Sequence, residues 1–162
     1  MPNAFLAWLT TFCENLEATP VSQTIQKVIW IIPTAQIIHI LAIAAVMGSA
    51  FVLNARLAGV LDRDQPVQNV ARRFMPVIWW ALPVLLLSGL VMIVGEPGRS
   101  LKNPIFQTKV LLILVAVAHL AFTRRRLAGG AGSAAGDVLL IVLPSIAIWL
   151  AIVSCGRWIA YY

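Results

Sequence analysis

The chain is poor in charged residues. Only 11% of its 162 residues are Asp, Glu, Lys or Arg, and 60% are hydrophobic, whereas about a quarter of the residues in a soluble domain are charged. This scarcity excludes a soluble globular protein and indicates a single membrane domain over residues 1–162. The net charge of +6 does not indicate nucleic-acid binding, because the basic residues lie in short clusters between apolar runs.

Acidic residues and cysteines are scarce as well. The six acidic residues all fall in loops, near the termini or at the edges of apolar runs, so no paired carboxylates are visible. Without such a pair, a nucleophile–base pair or a glycine-rich phosphate loop, catalysis by this chain alone is not expected. Cys13 and Cys155 form no metal-ligand motif, and a disulfide between them stays open.

Long apolar runs are what the chain has instead. Four runs approach the ~20 residues that cross a bilayer, namely 28–54, 74–95, 105–123 and 138–158. Short loops between them predict an all-α membrane protein, a four-transmembrane-helix up-down bundle. Residues 3–17 place apolar side chains three and four apart but are too polar to span. They predict an amphipathic interfacial helix, with a helix that caps the bundle as the equal alternative.

Lysine and arginine counts predict the orientation. The loops after the first and third runs contain seven basic residues: Arg56, Arg63, Arg72, Arg73, Arg124, Arg125 and Arg126. The opposite side contains five: Lys27, Arg99, Lys102, Lys109 and Arg157. The positive-inside rule then places the arginine loops in the cytoplasm and both termini in the periplasm of a bacterial inner membrane.

His39 is the leading candidate site residue, because ionisable residues within membrane spans are functional candidates by default. Gln36 lies three residues before His39, so the two share a face of the first span. By depth, Met92, Lys109 and Cys155 fall in the same outer half of the other three spans. One residue from each helix at similar depth predicts a small site.

The second histidine, His119, does not complete a haem site with His39. Counted from the arginine ends of their spans, the two differ in depth by roughly 18 Å, whereas axial ligands of one haem lie opposite each other. His119 is therefore interpreted as an interfacial or hydrogen-bonded residue. A homodimer packed through Ala44 and Gly48 of the first span is a hypothesis that would bring two copies of His39 together.

Two strings resemble an uncharacterised bacterial inner-membrane family. QIIHILAIAAVMGSAFVLNARLAG resembles its first span, E-I-V-H-I-L-G with later G-S and D-x-R-L-x-G, and NPIFQTKVLLILVAVAH resembles its N-P-x-F-x-x-K third span. The matching positions are His39, Gly48, Ser49, Arg56, Gly59, Asn103, Pro104, Phe106 and Lys109. The chain departs from the pattern at Gln36, where Glu is usual, and at Asn54, where Asp is usual. In outline this family is similar to membrane cytochrome b and copper-resistance bundles.

Three functions remain open at this point. The first is an electron-transfer subunit with a b-type haem on His39 in a site that includes Gln36, Met92 and Lys109. Its partner would be a periplasmic electron carrier, another membrane subunit or a second copy. The second is a copper-handling or small-solute transporter, with His39, Met92 and Cys155 as the copper ligands. The third is a structural or assembly subunit without a cofactor.

Overall fold

The computed structural model of the chain describes residues 4–61, 64–130 and 135–158. Within them it has seven helices and no strand: α1 (Ala4–Glu17), α2 (Pro20–Lys27), α3 (Ile31–Leu57), α4 (Val67–Gly95), α5 (Pro97–Leu101), α6 (Pro104–Ala128) and α7 (Ala135–Trp158). The helices α3, α4, α6 and α7 are each long and apolar enough to cross a membrane. The predicted all-α bundle of four spanning helices is confirmed, and the architecture is that of a multi-pass membrane protein.

The long helices extend past the predicted spans at one end, which is called here the arginine end. α4 begins at Val67, after Pro66, and α6 continues to Ala128. Arg72, Arg73 and the arginines at 124–126 therefore lie on helices, whereas Arg63 lies outside the described residues. Long arginine side chains can reach water from a helix that is still within the membrane interface, so the apolar run ends before the helix does.

At the other end, α3 begins three residues later than the predicted span. Residues 28–30 form a turn after α2, and Pro33 lies in the first turn of α3. Proline is tolerated there because the first N–H groups of a helix have no intrahelical acceptor. Pro33 therefore marks the start of the span.

The four long helices pack as two antiparallel pairs, α3 with α4 and α6 with α7, and α3 also contacts α7. Val46 of α3 and Ile78 of α4 are fully buried at the centre of the first pair. A second apolar cluster, which includes Leu53, Met75 and Ile141, joins α3, α4 and α7 nearer the arginine end. These contacts fix which face of α3 looks into the bundle.

The short helices α1, α2 and α5 cover the opposite end, which is called here the capped end. The Ser22 hydroxyl donates to the Val94 carbonyl oxygen at 2.7 Å, and the buried Cys13 thiol donates to the Pro97 carbonyl oxygen at 3.6 Å. The Val94 carbonyl lies in the last turn of α4 and would otherwise lack a partner. Residues 4–17 therefore cap the bundle, while exposed Trp8 and Phe12 on the same helix suit a membrane interface.

Candidate functional site

His39 lies in the half of the bundle nearest the capped end, on the face of α3 that meets α4. Its Nδ1 is 2.8 Å from the Ser88 hydroxyl oxygen. The Ser88 hydroxyl also lies 2.6 Å from the Val84 carbonyl oxygen, to which it donates, because a carbonyl can only accept. The Ser88 oxygen therefore accepts from His39 Nδ1–H. In the neutral imidazole, Nε2 then keeps its lone pair.

The His39 ring packs on α4 at Ser88 and Gly89. A Cβ on Gly89 would lie 3.6 Å from His39 Cε1, so a larger side chain would compete with the imidazole for the same space. Ser88 is itself buried. Ser88 was not predicted as a site residue from the sequence, although a Ser-Gly pair inside an apolar run was a usable signal.

Lys109, on α6, lies within electrostatic range of His39, and Cys155 lies near Lys109 on α7. A Cβ on Gly156 of α7 would be 3.7 Å from Lys109 Nζ, so the ammonium group lies against α7. All three side chains are half-buried. Among the residues that the structure describes, Lys109 has no carboxylate partner and no hydrogen bond. Burying a cation without a counter-ion costs free energy.

Gln36 and Met92 are placed differently from His39. Gln36 is exposed on the surface of α3, and its side chain makes no hydrogen bond within the described part of the chain. The structure therefore does not bring Gln36 into a network with His39 or Lys109. Met92 is half-buried on α4, one helical turn beyond Ser88 toward the capped end. The spacing puts Met92 and Ser88 on the same face of α4.

The proposed dimer face of α3 points away from His39. Ala44 and Gly48 are exposed, and a Cβ on Gly48 would meet no atom within 4 Å. At ~100° per residue, Gly48 lies about 180° around the helix from His39. A dimer packed through Ala44 and Gly48 would keep the two copies of His39 apart, so this route to two axial ligands does not fit the structure.

His119 lies far from His39, as its depth predicts. Its Nε2 is 3.0 Å from the Ile141 carbonyl oxygen, so Nε2 carries the proton and donates. His119 also lines a cavity with Ala50 and Asn54. From His39 to Ala50 along α3 is roughly 17 Å. The interpretation of His119 as a hydrogen-bonded residue is confirmed.

A second set of polar residues lines that cavity, whose volume is about 20 Å³. The Asn54 amide donates to the Ser145 hydroxyl at 2.8 Å, and both residues are buried. Thr123 and His119 complete the polar lining. The volume suits about one water molecule. From the sequence, Asn54 was the end of a span and a departure from the family pattern, and this contact was missed. An ionised Asp at the same position could not donate such a hydrogen bond.

Several matching positions of the family pattern have structural roles here. Asn103 caps α6 by accepting from the Ile105 N–H at 2.9 Å, and Pro104 is the first residue of the helix. At the arginine end, the Arg56 guanidinium donates to the Gln65 carbonyl oxygen at 2.9 Å. Gly59 has a φ of 70°, a conformation that favours glycine. Cap, loop closure and turn therefore explain these positions without a ligand.

The chain belongs to the DUF6644 family. The model of this family, described as a family of unknown function, matches residues 21–162. The match includes α2 and all four long helices, and it agrees with the resemblance to an uncharacterised membrane family. Comparison with curated proteins and with solved structures gives no match. Family membership assigns no activity, so the function has to be argued from the site.

Proposed function

We propose that this chain is a membrane subunit for electron transfer that binds a b-type haem through His39. The observation that carries the proposal is the hydrogen bond of 2.8 Å between His39 Nδ1 and Ser88. Histidines that ligate metals almost always donate their other ring N–H to a fixed acceptor, which sets the tautomer and the ring orientation. With Nδ1–H engaged, Nε2 is the atom left to coordinate iron.

Lys109 supports haem over copper. A haem b has two propionate groups, and the half-buried ammonium of Lys109 would bind one of them. The same positive charge repels a copper ion held by His39 and Cys155, and that repulsion is strong where water is scarce. The copper-transport alternative is therefore the weaker proposal.

Each residue of the proposed site has a separate task. His39 would ligate the iron, Ser88 would hold the imidazole, and Lys109 would neutralise a propionate. Met92 is the candidate second ligand, and bound haem would supply one-electron iron chemistry. Gln36 is left out of the site because it faces outward. If the arginine end is cytoplasmic, the site faces the periplasmic side of a bacterial inner membrane, where a soluble electron carrier would be its partner.

The test is the absorption spectrum of the detergent-purified protein, oxidised and then reduced with dithionite. We expect a Soret band and a sharp reduced α band in the wild type, lost in His39→Ala. The matched control is His119→Ala, because His119 is the only other histidine in the chain and lies far from the site. Ser88→Ala should weaken haem binding by about 10- to 100-fold, the usual effect of losing such a partner.

A colourless wild type would contradict the proposal, provided that it is folded and was expressed with added haem. Retention of the α band in His39→Ala would contradict it as well. A folded protein without haem would favour the cofactor-free structural subunit, because the Ser88 hydrogen bond also satisfies a half-buried histidine that has no ligand. Stoichiometric copper in the purified protein would instead favour the transporter.

A further inference from the structure

A cleft opens between α4 and α6 at the arginine end, away from His39. Its volume is about 760 Å³, and residues that line it include Arg72, Met75, Trp79, Trp80, Pro83 and Arg124. From its first lining residue on α4, Gln68, to Pro83 is roughly 22 Å along the helix. The cleft therefore runs from the polar boundary of the bundle into the apolar part of α4.

Three side chains that line this cleft are donors for which the described residues supply no acceptor. Arg72 and Arg124 come from facing helices, and neither has a carboxylate partner in the part of the chain that the structure describes. The Trp79 indole Nε1–H is buried and has no hydrogen-bond acceptor among the described residues. Buried indole N–H groups usually find an acceptor, so this part of α4 is short of acceptors.

Trp79 and Arg124 are also held together at this place. The Arg124 guanidinium carbon lies 5.7 Å from the centroid of the Trp79 ring, within the range of a cation–π contact. This contact holds the arginine against the wall of the cleft. The deeper wall, by contrast, is formed by Trp80 and Pro83, and Met75 adds apolar surface between Arg72 and Trp79. The cleft thus has a cationic, donor-rich part and an apolar part.

We infer that the α4–α6 cleft binds one anionic phospholipid. The phosphate would lie between Arg72 and Arg124, and an acyl chain would run along Trp80 and Pro83. Basic pockets between spanning helices bind anionic head groups in this way. A second copy of the chain fits the cleft poorly, since it offers only six acidic residues in total. This inference does not depend on the proposed haem.

The experiment is native mass spectrometry of the protein released from bilayers of equal parts phosphatidylglycerol and phosphatidylcholine with the same acyl chains. We expect the wild type to retain one phosphatidylglycerol in preference to phosphatidylcholine. Arg72→Gln and Arg124→Gln should each lower that preference roughly fivefold. The matched control is Arg73→Gln, because Arg73 is next to Arg72 in the chain but does not line the cleft. Its guanidinium carbon lies 5.8 Å from the centroid of the Phe74 ring instead. We expect Arg73→Gln to leave the preference unchanged.

Three results would overturn the inference. The first is a wild type that retains both lipids equally. The second is an equal loss of preference in Arg73→Gln, which would indicate diffuse attraction to a basic surface. The third is a second protein copy retained in place of lipid.

Phosphatidylglycerol with brominated acyl chains provides a second measurement on intact wild type. It should quench tryptophan fluorescence more than brominated phosphatidylcholine does, and Trp79→Phe should reduce that difference.

Discussion

Replacing Gly95 with alanine tests how closely the capped end is packed. A Cβ on Gly95 would lie 2.6 Å from Ile32 Cδ1 and 2.9 Å from Ile25 Cγ2, both far inside the ordinary contact range of 3.4–4 Å. Ile32 Cδ1 is the far end of a flexible side chain and can rotate away. Ile25 Cγ2 branches from Cβ and moves only if χ1 changes, and Ile25 is buried. Alanine would therefore displace α2 or force Ile25 from its rotamer.

The expected loss follows from two opposing effects. An extra methyl group in a packed interior costs about 1–3 kcal/mol, whereas alanine is favoured over glycine within a helix by about 0.5–1 kcal/mol. Gly95→Ala should therefore lower the free energy of unfolding by about 1–2 kcal/mol. Gly48→Ala is the control, because its Cβ would meet no atom within 4 Å. It should raise the free energy of unfolding by up to about 1 kcal/mol.

The assay is equilibrium unfolding in detergent micelles by titration with sodium dodecyl sulfate, followed by far-ultraviolet circular dichroism. Ile25→Ala removes the methyl group that the new Cβ would meet. The loss in the free energy of unfolding of the double variant should therefore be smaller than the sum of the two single losses, by about 0.5 kcal/mol or more. If Gly95→Ala were as stable as Gly48→Ala, or if the two effects were additive, α2 would not be docked on α4 as described.

Two further predictions use the same titration. Asn54→Ala leaves the buried Ser145 hydroxyl without its donor and should lower the free energy of unfolding by about 1–3 kcal/mol. A double-mutant cycle with Ser145→Ala should give a coupling energy of about 0.6 kcal/mol. A coupling energy of zero would count against the hydrogen bond. Asn103→Ala removes the N-cap of α6 and should cost about 1 kcal/mol, whereas Asn103→Asp keeps an acceptor and should cost much less. Equal losses in the two Asn103 variants would refute the capping role.

The spans of this chain could be predicted because a long apolar run with few charges has one physical explanation, a helix in lipid. The ends of the helices could not be predicted equally well. Hydropathy reports where lipid contact ends, whereas a helix ends where its backbone hydrogen bonds end. α4 therefore begins before the apolar run, and α6 continues through Arg124 and its neighbours. The capping of the bundle by residues 4–17 needed the partner surface on α5, which sequence spacing does not contain.

The sequence predicts how deep each candidate site residue lies in the bundle, but not which neighbouring helix its side chain faces. Counting along the helices separated His39 from His119, and it placed Lys109 near the level of His39. Apolar residues surround α3 on all sides, so no hydrophobic stripe indicated that His39 faces α4 while Gln36 faces outward. Their spacing alone nevertheless shows that His39 and Gly48 lie on opposite sides of α3, because each residue turns the helix by about 100°. Ser88 required the register between α3 and α4.

The two proposed sites lie at opposite ends of the bundle, which makes them separable by experiment. From Ser88 to Arg72 along α4 is roughly 24 Å, a distance over which no side chain contacts both ligands. Loss of the lipid in Arg124→Gln should therefore leave any haem spectrum unchanged, and loss of haem in His39→Ala should leave the lipid preference unchanged. If either variant abolished both properties, the cause would be a failure of the common α3–α4 packing. The Val46–Ile78 contact, not either ligand, would then be the feature to study.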